Sequence, residues 1–338
     1  MGDGTAGSSR LARFVPDTFV LLMLGAVALA LLWPAGGVPG GPLRLEVVTP
    51  LGIALVFFLH GANLAPRALY AGFSNWRVHL LVQGATFVMF PVLGFALFAA
   101  TRTLLPQALG LGFFFLAALP STISSSVAMT ALGRGNVPAA VFNASLSGLI
   151  GMIVTPLLLG LLGSRATGHI DVGHAIGDIA LTLLLPFALG QVSRPLTAGF
   201  IARHKAWLGR LDRGVILLIV YGSFASSTAS GTWSQFEIAD FVVTAVLVLA
   251  LLAVALTLTR LIARSLGLSR ADEVTAVFCG SKKSLANGAP MAQILFAGSA
   301  SMGLLMLPLM LYHQAQLMVC AVLARRYALA AEREGDPQ

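Results

Sequence analysis

The stretch Cys279-Gly-Ser-Lys-Lys-Ser-Leu-Ala-Asn-Gly-Ala-Pro290 interrupts an otherwise apolar part of the chain. A second stretch, Pro120-Ser-Thr-Ile-Ser-Ser-Ser-Val127, interrupts another apolar part in the same way. Each places hydroxyl groups beside proline or glycine, where a helix that faces lipid would carry leucine. Non-helical backbone at the depth of a bilayer is tolerated only where it is buried in protein or borders a wet cavity. The two stretches therefore predict two broken transmembrane helices. The alternative is a pair of simple kinks, with the serines bonded back to their own helices.

The composition of the whole chain is that of a membrane protein. Of its 338 residues, 57% are hydrophobic and only 10% are charged, with a mean hydropathy of +0.88, whereas roughly a quarter of the residues in a soluble domain are charged. The sequence predicts an all-α polytopic membrane protein with ten transmembrane helices, since a spanning helix needs about 20 apolar residues. The predicted spans lie near residues 17–33, 47–64, 78–100, 109–132, 138–163, 175–192, 215–228, 241–263, 274–296 and 302–323.

The basic residues give an independent test of this topology, because cytoplasmic loops of membrane proteins are enriched in lysine and arginine. With the N-terminus in the cytoplasm, all but five of the 21 basic residues fall on the cytoplasmic side. The exceptions are Arg44, Arg102 and Arg165 on the opposite side, and Lys282 and Lys283 inside the ninth span. The net charge of +8 is thus explained by topology, and we predict both termini in the cytoplasm, the lipid bilayer as a partner and no nucleic acid.

The two halves of the chain match when one is shifted along the other. A shift of about 161 residues places Asp17 on Asp178, and it places Pro120 of the first interruption on Ser281 of the second. Because each half would hold five spans, the second half must be inverted relative to the first, and matched broken helices mark a substrate site. We predict a disordered cytoplasmic N-terminus (1–13), a first five-helix repeat (14–163), an external loop (164–174), an inverted second repeat (175–326) and a cytoplasmic tail (327–338).

The lysine pair within the ninth span carries the sharpest functional hypothesis. All 13 acidic residues lie outside the predicted spans or at their edges, so no carboxylate is available to pair with Lys282 or Lys283 at mid-membrane. An unpaired charge there is costly and implies water, helix-end carbonyls or a bound anion as its partner. The alternative places both lysines in a re-entrant segment or loop. We predict that an organic anion is bound by Ser124, Ser125, Ser126, Asn143, Ser281, Lys282, Lys283, Ser284, Asn287 and His313.

The same stretches resemble the bile acid:sodium symporter superfamily, most closely its sodium/bile-acid cotransporter 7-like branch. The resemblance covers residues 14–326, and it includes the stretches Phe57-Phe-Leu-His-Gly-Ala-Asn-Leu64, Pro120-Ser-Thr-Ile-Ser-Ser-Ser126, Phe278-Cys-Gly-Ser-Lys-Lys-Ser-Leu285 and Pro308-Leu-Met-Leu-Tyr-His-Gln-Ala-Gln316. It implies a core formed by the third to fifth and eighth to tenth helices, and a panel formed by the others. It also implies that the discontinuous fourth and ninth helices cross at their breaks, with sodium beside the crossing and substrate between core and panel.

One departure from this family puts sodium coupling in doubt. Sodium-coupled members carry a glutamate and a glutamine on the ninth helix, where this chain has Phe278-Cys-Gly-Ser-Lys-Lys283. The resemblance still implies the sodium candidates Gln83, Ser125, Ser126, Asn143 and Ser145, with no other metal and no organic cofactor.

The leading hypothesis is a secondary carrier of an organic anion that works by alternating access, with sodium as a candidate coupling ion. The alternatives are a sodium-independent or proton-linked anion carrier, in which a lysine stands in for the cation, and a non-transporting membrane regulator that retains the fold. An enzyme is not predicted, because no serine or histidine lies in a recognisable catalytic motif. The arginine- and alanine-rich composition indicates a bacterial inner membrane. Substrate, direction of transport and oligomeric state stay open.

Overall fold

The computed structural model of the protein describes residues 18–64, 75–162 and 172–333. These residues are 85% helical and contain no strand. The predicted disordered segment 1–13 and residues 164–171 of the predicted external loop lie outside this part of the chain.

The described helices follow one another with short connections. They are α1 (Thr18–Leu32), α2 (Leu45–Asn63), α3 (Trp76–Ala100), α4 (Gln107–Ala118), α5 (Ser124–Leu132), α6 (Val137–Leu162), α7 (residues 172–203), α8 (Lys205–Ala229), α9 (Ile238–Ser265), α10 (Arg270–Gly280), α11 (Leu285–Leu295) and α12 (Met302–Arg333). A π-helical turn lies within α3 at Ala85–Met89, and another lies within α7 at Ala180–Leu184.

Six of the described helices are long and apolar enough to cross a membrane, namely α2, α3, α6, α9, α12 and the Ile176–Arg203 part of α7. The shorter helices α1 and α4 are also apolar. The prediction of an all-α polytopic membrane protein is confirmed. The predicted tail from residue 327 begins inside α12, which continues to Arg333.

The helices form two groups that pack side by side. In the first group α2 packs along α7 and α8, and α1 packs along α8; we call these four helices the panel. In the second group α3 packs on α4, α4 on α12, and α9 on α10; we call this group, with α5, α6 and α11, the core. Helix α8 joins the two through its contacts with α11 and α12.

Both interrupted stretches leave helical geometry. The backbone is extended at Leu119, directly after α4, and again at Ser284, directly before α11. The two breaks touch, since Ser284 N donates to Pro120 O over 3.0 Å and Ser121 Oγ donates to Cys279 O over 2.6 Å. The segments are therefore true breaks rather than kinks, and they meet within the core.

The carboxylate of Glu273 links three helices of the core through hydrogen bonds. Glu273 Oε1 accepts from Arg260 Nε at 3.1 Å and from Tyr327 OH at 2.8 Å, and Glu273 Oε2 accepts from Arg264 Nε at 3.0 Å. Burial by itself raises the pKa of the Glu273 carboxyl, but the hydrogen bonds from Arg264, Tyr327 and Arg260 outweigh it and lower the pKa below its ordinary value.

Replacing Glu273 by glutamine is expected to cost about 1–2 kcal/mol of stability, because charge-assisted hydrogen bonds contribute modestly when the arginines are half-exposed. A carboxyl with a lowered folded pKa stabilises the protein above its ordinary pKa of 4.5, and this contribution is lost as the pH falls through the folded value. The advantage of the wild type over Glu273→Gln in thermal unfolding should thus shrink in acid. Glu332→Gln, which breaks the exposed pair with Arg134, is the control and should cost less than about 0.5 kcal/mol. Equal losses for the two variants would contradict the prediction.

Candidate functional site: a cavity beside two crossed helix breaks

The carboxyl-terminal end of α4 has carbonyl groups that helical hydrogen bonds leave free. The helical donor for Ala117 O would be Ser121 N, which donates instead to Ser147 Oγ over 2.9 Å. Ala118 O accepts from Thr155 Oγ1 over 2.8 Å, and Leu119 O faces the break. A helix end buried in this way requires other donors, and it carries the negative end of the helix dipole.

Lys283 supplies donors to this end. Its Nζ donates to Ala117 O at 2.8 Å, to Leu119 O at 2.7 Å and to Thr86 O of α3 at 3.0 Å. The same Nζ lies 4.2 Å from the centre of the Phe90 ring, within the range of a cation–π interaction. Lys283 is fully buried, so its charge is held by backbone dipoles and an aromatic face.

Lys282 points to a different helix. Its Nζ donates to Ser125 O over 2.7 Å and lies 5.7 Å from the centre of the Phe278 ring. Lys282 is also fully buried. Among the described residues, neither lysine forms an ion pair with a carboxylate.

Two side chains of α12 form hydrogen bonds with the backbone of the second break. Gln316 Oε1 accepts from Lys283 N, and Gln316 Nε2 donates to Lys283 O, both over 2.8 Å. Tyr312 OH donates to Ser281 O over 2.7 Å. Backbone groups that the break removes from helical pairing are thereby satisfied, as buried groups must be.

The amino-terminal ends of the two broken helices border a cavity of about 390 Å³. Ser124, the first residue of α5, lines it together with Thr122 of the preceding break. Ser284 and Asn287 line it at the start of α11, where Ser284 Oγ accepts from Asn287 N over 3.1 Å as a helix cap. Free N–H groups at helix starts carry partial positive charge. The cavity thus has an electropositive wall on the core side.

The panel supplies the opposite wall. It is mainly apolar, with Val56 and Leu59 of α2 and Leu208 of α8, but it also carries His60 and Asp212. His60 Nε2 lies 3.7 Å from Asp212 Oδ1. Burial raises the pKa of Asp212, and the nearby His60 and Arg213 oppose this shift in part. The cavity therefore combines an apolar panel wall that has one titratable pair with a polar core wall built from helix ends.

Comparison with known proteins finds relatives that match nearly the whole chain. The sequence pattern of the SBF-like CPA transporter family matches residues 17–329. Protein PA2026 of Pseudomonas aeruginosa is 50% identical over 316 residues, which cover 94% of each chain. The putative symporter YfeH of Escherichia coli is 44% identical, also with 94% of each chain covered. Sodium/bile acid cotransporter 7-A of Xenopus laevis is 32% identical, with 93% of this chain and 92% of that protein covered.

The chain belongs to the SBF-like CPA transporter family. It is a transporter of the bile acid:sodium symporter type, an integral multi-pass membrane protein that acts on a small solute. The resemblance stated from the sequence is confirmed, and family membership points to a transporter rather than an enzyme.

The predicted site residues of this SBF-like transporter fall into two sets. Ser124, Ser284, Asn287 and Ser145 line the cavity, and Ser145 Oγ is buried there without a hydrogen-bond partner among the described residues. The other predicted residues do not line it. They are Gln83, Ser125, Ser126, Asn143, Ser281, Lys282, Lys283 and His313.

The hydroxyl, amide and imidazole groups of that second set bond mainly to the protein itself. Ser126 Oγ donates to Phe278 O over 3.1 Å, and Ser281 Oγ donates to Val277 O of its own helix over 2.5 Å. His313 Nδ1 lies 3.1 Å from Gln316 Nε2.

The predicted sodium residues Gln83 and Asn143 do come together in this transporter. Gln83 Nε2 donates to Asn143 O over 3.1 Å, and it lies 3.3 Å from Asn143 Oδ1. Asn143 Nδ2 donates to Ala139 O and lies 2.9 Å from His79 Nδ1. Gln83 Oε1 is buried with no hydrogen-bond partner in the part of the chain that the structure describes, so this cluster has one unused acceptor there.

The sequence prediction leaves out several polar residues of the site, including His60 of the panel wall. Asp212 lies in a basic stretch at the edge of a predicted span, and its position gives no sign that it faces a cavity. Thr122 belongs to the first break, where the sequence predicts the serines and not this threonine as site residues. Gln316 was one of several polar residues in the tenth span, and only its paired contacts with Lys283 distinguish it.

Proposed function

We propose that the protein is a secondary active carrier of a small organic anion that works by alternating access between panel and core. The observation that supports this most directly is the cavity between these two groups, which the starts of both α5 and α11 border. A volume of about 390 Å³ falls within the range of about 300–1,000 Å³ that small-molecule sites occupy. The apolar panel wall suits the hydrocarbon part of such an anion.

The charge distribution of the two breaks favours an anion over a cation in this cavity. The starts of α5 and α11 face the cavity, whereas the free carbonyls at the end of α4 are taken up by Lys283. Each helix start stabilises a nearby negative charge by about 0.3–1 kcal/mol, and by up to about 2 kcal/mol when partly buried. Asp212 carries the opposite sign but stands on the panel wall beside His60.

We further propose the finer topology of ten spanning helices in two inverted repeats, with α4–α5 and α10–α11 as the matched discontinuous spans. Each of the ten predicted stretches coincides with described helix, which supports this count. Both termini would lie in the cytoplasm, in a bacterial inner membrane. The cavity lining includes Leu64, Ile201 and Gly209, which adjoin predicted cytoplasmic segments, so the conformation would face inward.

A matched pair of substitutions tests the anion site. Aspartate and asparagine are both good helix caps, so Ser284→Asp and Ser284→Asn should keep the start of α11 intact and differ only in charge. We expect Ser284→Asp to weaken binding of small carboxylates and sulfonates by about 10- to 100-fold, because like charges meet in a partly dry cavity. Ser284→Asn should stay within about threefold of wild type. Binding is measured by thermal shift, and uptake in proteoliposomes.

The outcomes separate the hypotheses. Equal affinities for the two variants would contradict anion binding at the start of α11. Binding without uptake in either direction would favour a membrane regulator that retains the fold. A pH-sensitive dye inside the same vesicles would register substrate-dependent acidification if a proton moves with the anion, an alternative that the cavity-facing pair His60 and Asp212 favours.

A further inference from the structure

We propose that the ammonium group of Lys283 permanently occupies the place of a free cation at the crossing of the two breaks, so that the carrier operates without a bound sodium ion. This inference rests on the proposed carrier function. It adds which group supplies the positive charge at the crossing. Relatives carry names that include sodium, and the contacts of Lys283 in this chain are the reason to expect operation without a bound sodium ion.

The hydrogen bonds of Lys283 are those of a charged ammonium. Its Nζ has three acceptors within 3.0 Å, the carbonyl oxygens of Thr86, Ala117 and Leu119. An ammonium group has three N–H donors, whereas a neutral amine has two. The three contacts therefore match the protonated form, and they make a cage of carbonyl oxygens around one positive charge.

This carbonyl cage is built by the backbone and would attract a cation in any case. Ala117 O and Leu119 O lie at the carboxyl end of α4, the negative end of its dipole. Thr86 O has no helical donor, because Phe90 N donates to Ala85 O in the π-helical turn and Pro91 has no N–H group. Three carbonyl oxygens from two helices thus converge where only a positive charge or strong donors can satisfy them.

The surroundings offer no carboxylate to compete with the cage. Among the described residues, none of the ion pairs involves Lys283. The Phe90 ring 4.2 Å from Nζ adds a cation–π contact on another side. The charge is thus held by dipoles and an aromatic ring, the kind of environment that also binds alkali and ammonium ions.

Among the described residues, two acceptor atoms of the predicted sodium ligands, Gln83 Oε1 and Ser145 Oγ, are buried without a hydrogen-bond partner. Hard cations take about six or more oxygen ligands, and the other predicted ligands are engaged. Ser125 O accepts from Lys282 Nζ over 2.7 Å, and Asn143 O accepts from Gln83 Nε2 over 3.1 Å. Ser126 Oγ points to Phe278 O as a donor. Sodium would have to displace these donors beside two buried ammonium groups, and like charges repel strongly where water is excluded. The residues present therefore do not fit a sodium ion at the crossing.

Chemical rescue of the full-length protein in detergent tests the inference. Lys283→Ala opens the cage and leaves space for a small cation, so methylammonium or ammonium chloride should raise its melting temperature by at least about 3 °C relative to choline chloride at equal ionic strength. Lys283→Met fills the space without a charge and should show no such rescue. Lys282→Ala, whose ammonium has one carbonyl partner, should respond little. Wild type should melt at the same temperature in sodium, potassium and choline chloride.

Each outcome of these melting measurements either supports or overturns the inference. A sodium-specific rise in the melting temperature of wild type would overturn the inference, as would a Lys283→Ala protein that is stable and indifferent to methylammonium. If Lys283→Ala folds only when expressed and purified with methylammonium, the inference is supported. If Lys283→Ala folds in no salt, the sodium test on wild type decides. Equal melting temperatures in sodium, potassium and choline chloride then support the inference, and a sodium-specific rise overturns it. No substrate enters these measurements, so their failure is distinguishable from failure of the proposed anion transport.

Discussion

Replacing Gln316 by leucine is expected to lower the free energy of unfolding by about 2–6 kcal/mol. Gln316 is fully buried, and its amide group bonds both backbone groups of Lys283 over 2.8 Å. Leucine would leave that N–H and that carbonyl without partners, and each unsatisfied buried group costs about 1–3 kcal/mol. Because the same backbone carries the Lys283 ammonium, the cage at the end of α4 should loosen as well. Thermal and chemical unfolding in one detergent would measure the loss.

Gln314 provides the control on the same helix. Its Nε2 is buried and has no hydrogen-bond partner within residues 18–64, 75–162 and 172–333, so Gln314→Leu removes an unsatisfied group and should be neutral or slightly stabilising. Gln316→Glu should fall between the two, since a carboxylate can accept from Lys283 N but cannot donate to Lys283 O. If Gln316→Leu unfolds as late as Gln314→Leu, the amide bridge across the break contributes nothing.

Much of the fold could be predicted because each helix that spans a membrane needs a long apolar run, and such runs are visible in the sequence. The predicted spans coincide with the described helices, and the breaks occur at Pro120 and at Gly280-Ser281, where hydroxyls and helix breakers interrupt apolar runs. The positions of π-helical turns could not be predicted, because they depend on neighbouring helices. In a regular α-helix Pro91 would leave Phe87 O without its donor, and only the π-helical turn makes Thr86 O the carbonyl in need of a partner.

The site was harder to predict than the fold. The sequence places no acidic residue within the spans to pair with Lys282 or Lys283, and from this it predicts that they contact an anion. Their described partners are carbonyls of distant segments, with Lys283 Nζ bonding Thr86 O across 197 positions of sequence. A single sequence does not encode which backbone groups converge. Anion binding by the lysines stays a prediction, and the carbonyl cage now offers them a different role.

The panel wall of the cavity was missed for a similar reason. His60 and Asp212 lie in different helices and approach only because α2, α7 and α8 pack together. Asp212 sits among arginines, so its neighbours in sequence suggest an ordinary solvated charge. The sequence could place it at the edge of a span but not in a cavity wall.

A methyl group at Gly61 or Gly190 is expected to destabilise the panel by about 3 kcal/mol, at the upper end of the usual cost of overpacking. These residues lie where α2 and α7 touch backbone to backbone. A Cβ on Gly61 would fall inside van der Waals contact of the Phe187 carbonyl oxygen, and one on Gly190 would do the same to the Phe58 carbonyl oxygen. Backbone cannot rotate away as a side chain can, so Gly61→Ala and Gly190→Ala must push the two helices apart, and overpacking of this kind costs about 1–3 kcal/mol or more. Thermal unfolding measures the loss.

Gly199 makes this prediction specific to the contact. It lies on the same helix as Gly190, but a Cβ there would meet nothing within 4 Å. Gly199→Ala should therefore gain up to about 1 kcal/mol from helix propensity, the opposite sign from Gly190→Ala. The double variant Gly61→Ala/Gly190→Ala should cost less than the sum of its parts, because one separation of the helices relieves both clashes. Since α2 carries Val56, Leu59 and His60 of the cavity wall, the separation should also weaken anion binding. A Gly190→Ala protein that is as stable as Gly199→Ala would mean that α2 and α7 do not meet at these glycines.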